Sequence, residues 1–159
     1  MQTCRAIANG RGAPGQILLD GPHLVEAALA AGLKLTAVLH DSRESTLAGR
    51  LTAAGIPATA ATADVIDAAS PVRQPAGIVA IAEWLPRSAT SLIEAAAGPI
   101  VAMIDVQDPG NVGSIIRSSD ALGAEAVLAL GNTAAPAGWK ALRAAMGSTF
   151  RLPIGTGGI

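Results

Sequence analysis

The residues best suited to chemistry lie in one run, Ile104-Asp105-Val106-Gln107-Asp108-Pro109-Gly110-Asn111-Val112-Gly113-Ser114-Ile115-Ile116-Arg117. An apolar stretch ends at Ile104, and the loop beyond the C-terminal end of a parallel strand is where open α/β sheets place ligands. Asp108-Pro109-Gly110 is turn chemistry, because proline fixes one φ and glycine permits another. Asn111 is suited to cap a helix over 112–122, and Gly113 lets another backbone come close. Arg117 follows Asn111 by six residues. At a rise of about 1.5 Å per residue its long side chain reaches the same cleft. A helix N-terminus with an arginine beside it makes an anion site, such as one for phosphate. The residue physics leaves a plainer alternative open, in which Asn111 only caps the helix and Arg117 is a solvated helix residue.

The flanking sequence supplies the scaffold. Apolar runs at 17–19, 35–39 and 78–82 read as strands, with helices at 22–31, 44–54 and 63–69 between them. Pro22 suits a first helical position and Gly32 a helix end. Alternating strands and helices imply an α/β sandwich with a largely parallel sheet. Trp84-Leu85-Pro86-Arg87 breaks the pattern and small polar residues follow it, so a domain boundary is placed there. Beyond it come a helix at 92–97, a wholly apolar strand at 100–104 of the kind that sits centrally in parallel sheets, and the helix at 112–122. A strand at 126–130, a helix at 140–145 and a strand at 150–154 complete the chain.

Composition narrows the function classes. Of 159 residues half are hydrophobic and only 14% are charged, which excludes a disordered chain. With two Trp, one Phe and no Tyr, the core must be aliphatic. The net charge is -1, with 7 basic and 7 acidic side chains in 1–87 and 4 against 5 afterwards. No polybasic arm exists, so any nucleic-acid contact must come from local patches. Cys4 is the only cysteine. No intrachain disulfide can form, no cluster spaced to hold a metal is seen, and Cys4, His23 and His40 receive no role. Glu26 and Asp120 read as surface helix charges. Neither a signal-peptide run nor an apolar stretch of about 18 residues is present, so a soluble cytoplasmic chain is expected.

The run from Asp105 to Arg117, continued by Ser118-Ser119-Asp120-Ala121-Leu122-Gly123-Ala124, resembles the first motif of the SpoU (TrmH-like) RNA methyltransferases of the SPOUT superfamily. Lys140-Ala141-Leu142-Arg143-Ala144-Ala145-Met146-Gly147-Ser148-Thr149-Phe150-Arg151-Leu152-Pro153 resembles that family's next block. Leu18-Leu19-Asp20-Gly21-Pro22-His23-Leu24-Val25-Glu26-Ala27-Ala28 and Gln74-Pro75-Ala76-Gly77-Ile78-Val79-Ala80 are similar to its small substrate-binding domain, of the ribosomal protein L30e type. The resemblance implies an L30e-like α/β sandwich that binds RNA at 1–87, a linker and helix at 88–97, and part of a parallel-sheet knotted methyltransferase domain at 98–159.

It further implies transfer of a methyl group from S-adenosylmethionine to a ribose 2′-hydroxyl of ribosomal or transfer RNA. Arg117 would act with an RNA phosphate in deprotonating that hydroxyl, and Asn111 would position the site. Lys140, Arg143 and Arg151 are candidates for RNA contact. No metal is implied, RNA is the expected partner rather than DNA or a membrane, and a homodimer is implied for the complete protein. Two departures stand out. The family usually carries an acidic residue and a proline just before the helix near Lys140, where this sequence reads Ala134-Ala135-Pro136-Ala137-Gly138-Trp139. The family's later blocks, which form most of the donor pocket and the knot, are not among these residues. Cofactor-binding residues are therefore expected beyond Ile159, and the 159-residue chain is expected to be truncated and inactive alone. The alternative is a non-catalytic RNA-binding or dimerisation protein derived from the family. A nucleotide-binding α/β enzyme of another kind is disfavoured, because no Gly-x-Gly-x-x-Gly follows a strand.

Overall fold

A computed structural model describes residues 2–158. The chain divides into two units, Met1–Trp84 and Leu85–Ile159.

The first unit runs α1 (Gln2–Ala8), β1 (Gln16–Asp20), α2 (Pro22–Ala30), β2 (Leu35–His40), α3 (Ser45–Ala53), β3 (Ala58–Ala60), α4 (Ala63–Ala69) and β4 (Ile78–Glu83). Its sheet has the order β1-β4-β2-β3. The expectation of a largely parallel sheet fails here, since β4 is antiparallel to both β1 and β2 and only β2 and β3 are parallel. The chain re-enters the sheet at the end it has just left: β4 begins with Ile78 opposite His40, the last residue of β2, which also pairs with Ala60, the last of β3. Hydrophobic periodicity reports that a strand exists but not which way it runs. Residues alternate between faces along each strand. Leu18, Val79 and Ile81 pack with Cys4 of α1 and with Ile66 and Ala69 of α4. Burial pushes the Cys4 thiol up, away from the reactive thiolate.

Two buried carboxylates stand at one end of this sheet, Asp20 and Asp41. Ser70 donates its hydroxyl to Asp20. The Arg43 guanidinium donates to both oxygens of Asp41, at 2.9 and 3.1 Å from Nε, and through Nη1 to the carbonyl of Pro75 at 3.0 Å. The hydrogen bonds from Arg43 hold the Asp41 carboxyl below the usual carboxylate range, against the opposing effect of burial. A carboxylate with a depressed folded pKa stabilises the fold above its unfolded value, about 3.9, and loses that contribution as pH falls through the folded value. Thermal unfolding should therefore show this unit losing stability below about pH 4. Asp41→Asn should lower stability at neutral pH and flatten that acid-side loss; an unchanged acid profile in the variant would contradict the assignment.

The second unit contains β5 (Arg87–Ser88), α5 (Ala89–Ala95), β6 (Ile100–Ile104), α6 (Pro109–Ala121), β7 (Ala126–Leu130), α7 (Trp139–Ala145) and β8 (Ile154–Gly157). Its sheet is all parallel in the order β5-β8-β7-β6. Among the described residues β6 pairs with β7 alone. Ile104 is 56% exposed, while Ala126 to Ala129 of β7 are buried between two neighbours. The strand expected at 150–154 is replaced by a 3-10 turn at Ser148–Phe150, with β8 starting after Pro153. Met146 and Gly147 both take left-handed backbone, ending α7 and turning the chain into that 3-10 turn. Proline has no N–H to give to a ladder, so it precedes the strand instead of joining it.

Candidate active site

α6 begins at Pro109, which makes Asp108 its cap; Asp108 Oδ1 accepts from the Asn111 backbone N–H at 2.8 Å. Asn111 is thus the third residue of the helix and not its cap, a correction with a simple cause. Proline is favoured at the first helical position because the missing N–H would have no partner there, so the cap falls earlier in the chain. The exposed side chain of Asn111 is left facing solvent. The anion site expected at this helix start is changed too. Pro109 offers no N–H, and the Asp108 carboxylate already occupies the Asn111 N–H, so a phosphate would meet negative charge there. Asp108→Ala should cost about 1 kcal/mol, the usual loss for a removed cap; chemical denaturation showing no destabilisation would contradict the capping role.

The loop leading into α6 is tied to the loop after β7. Asp105 takes a left-handed φ of 54°, a conformation that aspartate tolerates better than most residues. Its Oδ1 accepts from the Asn132 N–H at 2.7 Å. Thr133 Oγ1 accepts from the Val106 N–H at 3.2 Å and donates to the Leu130 carbonyl at 2.6 Å. The Ala134 N–H reaches the Val106 carbonyl at 2.9 Å. Asp105, Asn132 and Thr133 therefore fix the C-terminal edge of the sheet. Asn132 and Thr133 lie outside both motifs, and Asp105 heads the first without a role read for it; the signal available was a short polar residue directly after an apolar strand, a common place for unusual backbone.

The same edge is braced by α6 against α7. A Cβ built on Gly113 would lie 2.3 Å from the Ala141 carbonyl oxygen, 2.6 Å from Ala144 Cβ and 2.8 Å from the Ala145 nitrogen. The first turn of α6 is thereby brought directly against α7. Arg117 is one turn beyond Gly113 on the same side of α6, so it flanks this seam. It is exposed. Six residues separate it from Asn111, about 120° around the helix and about 9 Å along it, so the two side chains leave α6 in different directions. Lys140 and Arg143 are exposed or half-exposed on α7, and the Lys140 ammonium lies 5.5 Å from the centroid of the Trp139 ring. Arg151 is engaged in the fold instead: its guanidinium donates to Asp120 at 2.6 Å and to Ser148 Oγ at 2.9 Å. Of Arg117, Lys140, Arg143 and Arg151, only Arg151 has a carboxylate partner among the described residues.

A cavity of about 440 Å³ opens beside β6 and α6, lined by Val101, Ser114, Ile115, Ser118 and Leu122 among others. No charged side chain lines it, and it adjoins Pro99 and Ala124, next to the opposite end of the sheet from the stitched loops. Among the described residues no group of three His, Cys, Asp or Glu is placed to hold a metal ion.

Comparison with known proteins bears on this arrangement. Residues 98–157 match the model of the SpoU rRNA Methylase family. An uncharacterized tRNA/rRNA methyltransferase of Synechocystis sp. is 30% identical over 91% of this chain and 53% of its own length. The 23S rRNA (guanosine(2553)-2′-O)-methyltransferase RlmP of Bacillus subtilis is 34% identical over 86% of this chain and 52% of its own. The crystal structure of an AdoMet-bound rRNA methyltransferase from Sinorhizobium meliloti superposes with a TM-score of 0.83 at 28% identity, covering 99% of this chain and 60% of that one. The chain spans about half the length of the curated relatives it matches.

Proposed function

We propose that this chain, whose residues 98–157 match the SpoU rRNA Methylase family model, carries the RNA-facing side of an enzyme that methylates ribose 2′-hydroxyls in ribosomal or transfer RNA. The observation that supports this most is Arg117, exposed and without a carboxylate partner among the described residues, on a helix whose start and leading loop four separate contacts hold in place. A 2′-hydroxyl attacks poorly until its proton is taken. Arginine stays protonated at any physiological pH and is no base. Its planar fork instead grips a phosphate oxygen pair, so that the substrate's own phosphate takes the proton while Arg117 orients and stabilises it. Asn111, held by the Asp108 cap, presents its amide to the ribose.

S-adenosylmethionine supplies the methyl group in this reading. The apolar cavity beside β6 does not fit it, since nothing there answers the donor's charged ends, and no contact to the donor is assigned to it. In the same reading the first unit holds the RNA substrate, and Lys140 and Arg143 meet phosphate; residues 88–97, expected as a linker and helix, belong to the second unit, where β5 pairs with β8 and α5 packs on the sheet. Arg151 serves mainly to bind Asp120 and Ser148. A homodimer and a cytoplasmic setting belong to the proposal as well; no helix among the described residues is long and apolar enough to cross a membrane.

Methyl transfer from labelled S-adenosylmethionine by the whole protein tests the reading with two substrates of one sequence, an RNA and its DNA counterpart. Label should enter the RNA only, because DNA lacks the 2′-hydroxyl. Equal labelling of both would overturn ribose as the acceptor, and binding of RNA with no transfer would overturn the catalytic role.

A further inference from the structure

We propose that Trp139 is a stacking platform for an unpaired RNA base, with Lys140 and Arg143 holding the adjoining phosphates. This rests on the RNA methyltransferase reading above and adds to it a residue that sets how substrate is seated. Trp139 opens α7 and is only half-buried, in a chain with two tryptophans and no tyrosine. It is not among the residues of α7 that are fully buried in the core, which are Ala141, Leu142 and Ala145, so part of the indole reaches the surface. Helix formation does not account for it either. Proline is the residue best suited to a first helical position, and an indole there gives no such benefit.

Its surroundings match a nucleic-acid strand. The Lys140 ammonium at 5.5 Å from the ring covers one part of the indole, and Arg143 stands one turn further along the helix. Lys34, Arg43, Arg50 and Arg151 are ion-paired, whereas Lys140, Arg143 and Arg117 have no carboxylate partner among the described residues. Apart from Arg87 at its start, the uncommitted cations of the second unit thus lie on α6 and α7, the two helices that meet at Gly113. A flat ring beside cations that no carboxylate neutralises, on the helix that packs against α6, offers what single-stranded RNA requires: a π-face for a base and positive charge for the backbone on either side.

Fluorescence tests this in the full chain, because Trp84→Phe leaves Trp139 as the sole indole. A short single-stranded RNA should quench it to saturation. Inorganic polyphosphate, which can meet the cations but cannot stack, should bind without quenching, and an RNA duplex, whose bases are already stacked, should quench little. Trp139→Ala should weaken single-stranded RNA binding by about 5- to 100-fold, the range that loss of one base–aromatic stack gives. Trp139→Phe should recover most of it, with circular dichroism confirming that α7 persists in both. RNA that binds by anisotropy without quenching, or a Trp139→Ala affinity within about twofold of wild type, would overturn this inference and leave the proposed function standing. RNA that fails to bind the wild-type chain at all would overturn both.

Discussion

Arg117→Ala should lower methyl transfer by about 10²–10³-fold, the usual effect of removing one donor that stabilises charge developing in a transition state. The fold should be nearly untouched. Arg117 is exposed and makes no ion pair among the described residues, and such surface changes usually stay within about 0.5 kcal/mol. Arg117→Lys should fail almost as badly. An ammonium is a point charge and cannot place two parallel N–H bonds on a phosphate. Initial rates and thermal unfolding of the same preparations separate the two effects. A near wild-type rate in either variant would show that the arginine is not the group that handles the phosphate.

Gly113→Ala should be the most destabilising small substitution in the second unit. Two of the three nearest atoms to the added methyl are backbone, the Ala141 oxygen at 2.3 Å and the Ala145 nitrogen at 2.8 Å. The third, Ala144 Cβ at 2.6 Å, has no rotamer to swing away. The helices must move apart, at a cost of at least about 1–3 kcal/mol for overpacking. Activity should fall with stability, since that seam carries Arg117 on one side and Lys140 and Arg143 on the other. Gly49→Ala is the control. Gly49 lies within α3, and a methyl added there would meet nothing within 4 Å. The same substitution at that position should stabilise by about 0.5–1 kcal/mol. Equal effects at the two sites, read by chemical denaturation, would contradict the packing account.

The segment from Ile104 to Arg117 is the most legible part of the chain, because its strand, turn and helix follow one another within a single unbroken run. The cap is the exception, for want of one consideration: Pro109 and Asn111 both suit a helix start, and proline at the first position moves the cap to Asp108. Other differences come from what a sequence does not encode locally. The place of Ile100–Ile104 in the sheet depends on which strands pair with it, not on its own apolar run. The antiparallel course of β4 follows from where the chain re-enters the sheet, opposite His40, and not from the pattern of its own residues. β5 is a two-residue strand, Arg87–Ser88, with no hydrophobic period to detect. Lys140, Arg143 and Arg151 look alike in sequence, and only the Asp120 carboxylate beside Arg151 distinguishes the last. Trp139 is visible in sequence as part of a departure from the family's usual acidic residue and proline; its meaning needs the neighbouring cations to be seen as unpaired.

Arg117 carries the proposal that this chain serves methylation of a ribose oxygen. The most direct measurement is nucleoside analysis of RNA after incubation of the enzyme with methyl-labelled S-adenosylmethionine, comparing wild type with Arg117→Ala. The account predicts labelled 2′-O-methylnucleosides with the wild type and their near absence with the variant. Label found only on bases, or 2′-O-methylnucleosides formed equally well without Arg117, would contradict it.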